Sequence, residues 1–290
     1  MAKDNFQKQI SQIAAIDQPL IQDLIALLWS EEVYQAEFPS EFYFHQKKQS
    51  VSDLIEWSKK IEIDTDFSKF NKLPLGKYAE SLLIIYFKNC KEFELLANNI
   101  QLIKENKTIG EIDFLLKDLI KEEYIHLEFA LKYYLKVKWN GQLTFLGPNV
   151  NDQLRKKKEK LLGQQSRLLN RHQNLLDADF QKINFQPKIW MKGVRFYPFN
   201  ISEKYSHTKA WWLNYEDIDN LTSKNIYFEA VPLKKDWIFP YFREKEVDFN
   251  SLKTKAEHYF QQKKNALMVV RKESNKVIDR GFIMRKKWPN

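Results

Sequence analysis

Residues 109 to 135 constrain the fold most, because their side chains alternate between two faces with a period of two. The first half places Glu111 and Asp113 on one face, with Ile112 and Phe114 on the other. The second half separates an apolar face from a polar one: Ile125, Leu127, Phe129, Leu131 and Tyr133 against His126, Glu128, Ala130 and Lys132. The pattern predicts two long β-strands, and the β-branched and aromatic content from 124 to 137 favours a central, buried second strand.

A hairpin centred between Ile120 and Lys121 would place Asp113 directly opposite Glu128. Residues so opposed have Cβ atoms about 4.5–5.5 Å apart, and two like charges there are destabilising. A counter-charge is therefore expected, and Mg²⁺ commonly uses one or two carboxylates as ligands. We predict a metal site here, with Lys132 orienting a water or stabilising negative charge. The alternative is a solvated sheet edge with scattered charges.

The composition excludes several classes of function. A single cysteine, Cys90, rules out an internal disulfide and a cysteine-based zinc site, and the five histidines are scattered. The seven glycines form no dinucleotide-binding or phosphate-binding loop, and no G-x-S-x-G motif occurs. The net charge of +9 favours a polyanionic partner without requiring one.

Two further features bear on the location of the protein. The N-terminus, MAKDNFQKQISQ, lacks the apolar core of a signal peptide, and the longest dense apolar run covers only residues 82–87. We therefore expect no membrane insertion and a cytoplasmic location, which also suits a chain with one cysteine.

Helical spacing predicts three helices before the central strands. They cover residues 5–30, with a break near Asp17 or Pro19, then 50–61 and 73–89, and FELLANNIQLI (93–103) follows as a strand. The third helix is apolar on nearly all sides and has Glu80 as its only acidic residue. Glu80 is expected either to be buried with a partner or to be a surface carboxylate favoured by the helix dipole.

A basic segment follows the strands. Residues 151–172 predict a helix with a leucine stripe and carry seven lysines and arginines against two acids, a local charge of +5. Such a helix can bind a phosphate backbone, and a solvated surface is the alternative reading for its outermost lysines. Gln164 or Gln165 is predicted to reach back toward the central sheet.

After about residue 177 prolines and tryptophans become frequent, and short strands with one helix (250–264) predict a second α+β lobe. We therefore divide the chain into residues 1–176 and 177–290. Core packing is favoured over base stacking for most of the tryptophans. They are Trp190, Trp211, Trp212, Trp237 and Trp288.

The succession of helix acid, strand acid, strand acid, lysine and basic helix resembles the PD-(D/E)XK nuclease superfamily. More closely, nearly the whole chain resembles the domain of unknown function 1853 family. The stretches that carry this resemblance are LIQDLIALLWS, GKYAESLL, GEIDFLL, HLEFALKYYL, GPNVNDQLRKKKEKLLGQQ, AWWL and RGFIMRKKWP.

The superfamily resemblance implies an α/β fold with an αβββαβ restriction-endonuclease-like core, preceded by N-terminal helices. It implies Glu80, Asp113 and Glu128 as metal ligands and catalytic acids for Mg²⁺ or Mn²⁺, and Lys132 as the catalytic lysine. Nucleic-acid contacts would come from Arg155, Lys157, Lys158 and Gln165.

Two positions depart from the superfamily pattern. Ile112 stands where the motif has proline, and Ala130 stands where the motif has lysine, so Lys132 lies about 6.6–6.8 Å further along the strand. The expected function is a metal-dependent nuclease acting on DNA. The alternatives are a nucleic-acid-binding module on a degenerate nuclease scaffold and a protein-interaction scaffold that uses the aromatic C-terminal lobe.

Overall fold

The computed structural model describes residues 2–32, 34–47, 49–61, 63, 70, 72–201 and 210–290. Nine strands form a mixed sheet in a mixed α/β fold, with seven α-helices in the described part of the chain. The helices are α1 (Ala2–Ala14), α2 (Pro19–Trp29), α3 (Val51–Ser58), α4 (Leu75–Asn89), α5 (Leu154–Lys160), α6 (Leu168–His172) and α7 (Phe249–Gln261). The strands are β1 (Phe93–Lys104), β2 (Lys107–Asp118), β3 (Glu123–Trp139), β4 (Gln142–Leu146), β5 (Phe185–Pro198), β6 (Ala210–Asn214), β7 (Ile226–Val231), β8 (Ala266–Glu273) and β9 (Lys276–Met284). Within these residues, no helix combines the length and the apolar character needed to cross a membrane.

The chain forms two compact units, each built from separate stretches of sequence. We call residues 29–131 and 155–193 the hairpin unit, and residues 1–28, 132–154 and 194–290 the terminal unit. The composition predicts something different, namely two domains that meet between residues 176 and 177. Whether those two domains fold independently stays a prediction.

The early helices form where the sequence predicts them. The predicted break near Asp17 or Pro19 is confirmed, since α1 ends at Ala14 and α2 begins at Pro19. Helix α3 begins after Ser50, whose hydroxyl accepts a hydrogen bond from the backbone N–H of Asp53 while the Asp53 carboxylate accepts from that of Ser50. This reciprocal capping satisfies two amide donors that the helix itself leaves unpaired.

Strands β1 and β2 form a hairpin through Glu105 and Asn106, which have φ angles of 50° and 60°. Strands β2 and β3 pair antiparallel, with Phe114 opposite Leu127 and Leu116 opposite Ile125. This confirms the predicted register, because each pair is symmetric about the point between Ile120 and Lys121.

Strand β3 has nearly every residue from Ile125 to Tyr133 buried, which confirms the central position that its composition predicts. The sequence analysis did not identify β4. Its signal was present, because Asn140 and Gly141 join β3 to β4 with φ angles of 49° and 80°, and Asn-Gly favours a two-residue hairpin turn.

The prediction of one continuous helix from 151 to 172 is wrong. Helix α5 ends at Lys160, a π-helical segment (Leu161–Gln165) follows, and α6 begins at Leu168. The Ser166 hydroxyl donates to the carbonyl of Leu162, so a side chain replaces part of the helical backbone bonding at this break. π-Helical insertions are short and often occur at functional sites.

The predicted C-terminal helix (250–264) is confirmed as α7 (Phe249–Gln261), and short strands lie before and after it as predicted. In the terminal unit, β6 lies parallel to β9, and β8 is antiparallel to both β7 and β9. Core packing is confirmed for four of the five tryptophans that the alternative assigned to base stacking: Trp190, Trp211, Trp237 and Trp288 are buried. The fifth, Trp212, is half-buried and donates its indole N–H to the carbonyl of Lys136.

Candidate metal centre

Three carboxylates converge in the hairpin unit. One oxygen each from Glu80, Glu111 and Asp113 lies within 4.8 Å of the others. Helix α4 supplies Glu80, and β2 supplies Glu111 and Asp113, which share a face because they are two residues apart on a strand. The structure therefore brings together two of the three predicted ligands and adds Glu111, a residue that the sequence pattern placed on the right face without a role.

Glu128, the third predicted ligand, is fully buried on β3 and is not one of these three acids. One of its oxygens lies 2.9 Å from Nε2 of His126, and the other accepts a hydrogen bond from the side-chain amide of Gln165 at 2.7 Å. Nδ1 of His126 is buried with no hydrogen-bond partner in the described structure, so Nε2 is the ring nitrogen that contacts Glu128. Both oxygens of Glu128 are thus oriented by fixed donors.

Asp113 lies where the β2–β3 ladder stops. The last pair is Phe114 with Leu127, and one position further the Asp113 carboxylate accepts a hydrogen bond from the backbone N–H of Phe129 at 2.9 Å. The side chain thereby takes a donor that the neighbouring strand would otherwise satisfy. This bond fixes the carboxylate at the level of Glu128.

The electrostatics of the acids follow from their burial. Burial first, and then the charge of Glu128, raise the pKa of Asp113 to about 8, against the lowering effect of the Phe129 N–H. Burial also raises the pKa of Glu80, although the hydrogen bond and charge of Lys77 oppose that rise. Near neutral pH, Asp113 of the metal-free protein is therefore mostly protonated.

Lys77 is the cation of this cluster, and the sequence analysis did not identify it. Its ammonium lies 2.6 Å from Glu80, 2.5 Å from Glu111 and 3.2 Å from the side-chain oxygen of Asn99. Burial alone would lower the pKa of Lys77, but the hydrogen bonds to Glu111 and Glu80 outweigh it and the pKa is raised. The available signal was the three-residue spacing of Lys77 and Glu80, which places them on one side of a helix.

The donor set fits a hard divalent cation. Carboxylate oxygens are the ligands that Mg²⁺ and Mn²⁺ prefer. Among the described residues, four acidic side chains, Glu80, Glu111, Asp113 and Glu128, interact with the ammonium of Lys77, so the cluster when ionised carries more negative than positive charge. Glu80, Glu111 and Asp113 would hold the ion, and Glu128 would add negative potential beside them.

Metal binding to this cluster is expected to depend on pH. An ion bound to Asp113 displaces its proton, and the pKa of Asp113 is about 8. The association constant for Mn²⁺ should therefore rise about tenfold per pH unit between pH 6 and 8 and level off above that range. Calorimetric titration in buffers of different ionisation enthalpy should show close to one proton released at pH 7. An affinity that does not change with pH would contradict Asp113 as a ligand.

Lys132, the predicted catalytic lysine, has an acidic partner in the terminal unit. Its ammonium lies 2.7 Å from Asp152, whose other carboxylate oxygen accepts a hydrogen bond from the Tyr134 hydroxyl at 2.9 Å. Asp152 is therefore engaged by two side chains. The catalytic role of Lys132 stays a prediction.

The predicted nucleic-acid contacts divide into two groups. Gln165 bonds Glu128, and Lys157 donates to the side-chain oxygen of Gln165 at 3.1 Å, which confirms that a glutamine reaches the central sheet. Lys158 lies 3.8 Å from Glu37, and Arg155 is exposed, 3.5 Å from Glu159. A chain of hydrogen bonds thus links the basic segment at Lys157 to the acidic centre at Glu128.

Comparison with known proteins identifies a family for this chain. No curated protein and no solved structure matches the chain. A family model described as domain of unknown function (DUF1853) matches residues 22–284, a span that includes the acidic cluster, the basic segment and all nine strands. Since this match covers most of the sequence, the chain belongs to the DUF1853 family.

Proposed function

We propose that this protein is a nuclease that uses Mg²⁺ or Mn²⁺ to hydrolyse phosphodiester bonds of DNA. The observation that carries the proposal is the convergence of Glu80, Glu111 and Asp113, with Glu128 bonded through Gln165 to the basic segment. Anionic oxygens suit a divalent ion, and lysines suit a phosphate backbone. The acidic cluster would hold the metal ion, and the basic segment would bind the DNA backbone.

The order of elements supports a PD-(D/E)XK core. Helix α4 is followed by β1, β2 and β3, then by α5, α6 and β5, which agrees with αβββαβ when the short β4 and α6 are set aside. The acids lie on the elements that the superfamily resemblance implies: Glu80 on α4, Asp113 on β2 and Glu128 on β3. The same fold can carry unrelated functions, so the acids and the basic segment support a nuclease more strongly than the order of elements does.

The residues have distinct tasks in this proposal. A bound divalent ion would lower the pKa of a water molecule and offset phosphate charge. Glu80, Glu111 and Asp113 hold and orient that ion, while His126 and Gln165 keep Glu128 in position. In the reaction a water oxygen forms a bond to phosphorus, the bond from phosphorus to the leaving oxygen breaks, one water proton passes to solvent, and the leaving alkoxide takes a proton from solvent.

The direct test is cleavage of supercoiled plasmid and of single-stranded DNA in the presence of Mn²⁺ or Mg²⁺. Replacing Asp113 with asparagine keeps an oxygen to accept from Phe129 but removes the charge. We expect the rate to fall at least about 100-fold, in line with the loss of a group that stabilises the transition state. The matched control is Asp179→Asn at an exposed position of the same unit, which should cleave like the wild type. Equal cleavage by the Asp113→Asn variant would reject the assignment.

A DNA-binding protein without hydrolytic activity is the second candidate. It is favoured by Ala130 at the motif's lysine position and by the ion pair between Lys132 and Asp152. This candidate predicts salt-dependent DNA binding by the wild type and by Asp113→Asn, with no cleavage by either.

Both candidates require that the basic segment contacts phosphates. The double variant Arg155→Ala/Lys158→Ala removes two charges from that segment, and the slope of log K against log[salt] for DNA binding should decrease by about 2, since each phosphate contact contributes about 0.9. Fluorescence anisotropy between 50 and 300 mM NaCl measures the slope. The control Lys255→Ala/Lys264→Ala removes the same charge from exposed positions of the terminal unit. If the two double variants reduce the slope equally, the segment is not the binding surface.

A further inference from the structure

Lys77, a lysine that contacts the acidic cluster, lies on α4 and not on β3, the strand from which the catalytic lysine is expected. Position 130 on β3 is alanine, and the ammonium of Lys132 pairs with Asp152 in the terminal unit. Lys77 on α4 instead places its ammonium on Glu80 and Glu111, two of the three converging carboxylates. We propose that Lys77 is the catalytic lysine of this site, facing the scissile phosphate of a nucleic acid, and this inference rests on the nuclease function proposed above.

The exposure of the side chains places Lys77 at the solvent side of the cluster. The Lys77 side chain is 43% exposed, those of Glu111 and Glu80 are 32% and 12% exposed, and Asp113 is 7% exposed. Exposure therefore decreases from the lysine to Asp113. A phosphate that enters from solvent would therefore reach the ammonium of Lys77 before it reaches Asp113, the most buried of these acids.

The contacts of Lys77 also define how it would act. An ammonium has three donors, and in the metal-free protein they bond Glu80, Glu111 and Asn99. Glu80 and Glu111 are also two of the three carboxylates that would hold a divalent ion, so that ion would compete with the ammonium for the same oxygens. With the ion bound, the released donors can bond a non-bridging phosphate oxygen, where they offset the charge that builds up as the water oxygen attacks. Lys77 keeps its proton throughout.

A lysine that both competes with the metal ion and stabilises the transition state should affect metal binding and cleavage in opposite directions. Removing the ammonium takes a like charge away from the divalent ion, so Mn²⁺ should bind about tenfold more tightly to a Lys77→Met variant. The same variant should lose at least about 100-fold in cleavage rate at saturating Mn²⁺. A lysine with a purely structural role would not tighten metal binding while slowing the reaction.

The experiment measures Mn²⁺ binding by calorimetry and plasmid cleavage by gel for the full chain. The matched control is Lys88→Met, an exposed lysine in the last turn of the same helix, which should match the wild type in both measurements. Lys77→Arg keeps the charge and should keep Mn²⁺ affinity near the wild-type value. It tests the same competition should Lys77→Met fail to fold, which circular dichroism would show.

The outcomes separate this inference from the proposed function. Unchanged or weaker Mn²⁺ binding by folded Lys77→Met, or an arginine variant that binds Mn²⁺ tenfold more tightly than the wild type, overturns the inference. Wild-type cleavage that Lys77→Met retains and Lys132→Met loses overturns it too, and leaves the nuclease function intact. If the wild type binds Mn²⁺ but cleaves no DNA, the nuclease function and the catalytic part of the inference fail together, whereas tighter Mn²⁺ binding by Lys77→Met still establishes Lys77 as the competing cation.

Discussion

Replacing Asp113 with asparagine is expected to stabilise the metal-free protein at pH 8 while abolishing its response to Mn²⁺. The folded protein holds the Asp113 carboxyl at a pKa of about 8, whereas an unfolded chain has it near its ordinary value of 3.8. Between those values the folded state binds more protons, so its stability falls as the pH rises from about 4 to about 8. Asparagine has no charge to bury and therefore avoids this loss.

The expected gain is large for a single polar substitution. A pKa difference of this size corresponds to about 6 kcal/mol. Because the asparagine amide is itself a polar group that must be buried, we expect a net gain of about 3 kcal/mol at pH 8, or a rise of about 5–10 °C in the unfolding midpoint. At pH 5 the gain should be much smaller, since the folded carboxyl is then protonated and only the ionisation of the unfolded carboxyl remains.

Thermal unfolding at pH 5, 7 and 8, with EDTA and with Mn²⁺, measures both effects. Wild type should rise in midpoint with Mn²⁺ at pH 8, because a ligand that binds only the folded state stabilises it. The asparagine variant should start higher and show little further rise. Asp179→Asn, at an exposed position, should follow the wild type. If Asp113→Asn unfolds at a lower temperature than the wild type at pH 8 in EDTA, then the charge of Asp113 does not destabilise the folded protein.

Burying acids to form a metal site lowers the stability of the fold. Asp113 and Glu128 are buried carboxylates near one another, an arrangement that costs stability until a cation joins them. Sites that depart from optimal packing and charge pairing are where function is concentrated. The hydrogen bonds of Glu128 to His126 and Gln165 hold the acids in place at that cost.

The alternating pattern predicted the hairpin and Asp113, and the superfamily resemblance implied Glu80, which are two of the three converging carboxylates. The alternation from 109 to 135 fixes which residues share a face, and a slip of one residue would move the apolar side chains to the polar face, so the pairing of Phe114 with Leu127 followed. Glu111 lay on the predicted face, but no rule of spacing separated a ligand from a solvated glutamate. Lys77 required knowing how α4 packs on β2, which depends on tertiary contacts between residues 34 positions apart.

The break between α5 and α6 was also beyond local reasoning. The leucine stripe of residues 154–169 is compatible with an uninterrupted helix, and the single Gly163 lowers helix propensity by only about 1 kcal/mol. The observed π-helical segment instead accompanies the bond from Gln165 to Glu128, a contact across 37 residues.

Replacing Gly281 with alanine is expected to destabilise the protein severely, by more than about 3 kcal/mol. Gly281 on β9 lies directly beside Trp211 on β6, and an added Cβ would come within 2.1–2.3 Å of three atoms of the indole ring. The ring has no room to yield, since it is fully buried and its N–H donates to Asp279 at 2.7 Å. Overpacking a well-filled core usually costs 1–3 kcal/mol, and backbone displacement of a central strand adds to that.

The same contact gives a structural role to two of the stretches that carry the family resemblance. Trp211 belongs to AWWL and Gly281 to RGFIMRKKWP, and the glycine provides the space that the tryptophan ring fills. Soluble yield and the thermal unfolding midpoint measure the effect of Gly281→Ala, with an expected fall of at least about 5 °C. The control is Gly76→Ala in α4, where an added Cβ meets nothing within 4 Å and should leave the midpoint unchanged or slightly higher. A Gly281→Ala protein that unfolds within 2 °C of the wild type would mean that β6 and β9 can separate without loss, and that these stretches serve something other than packing.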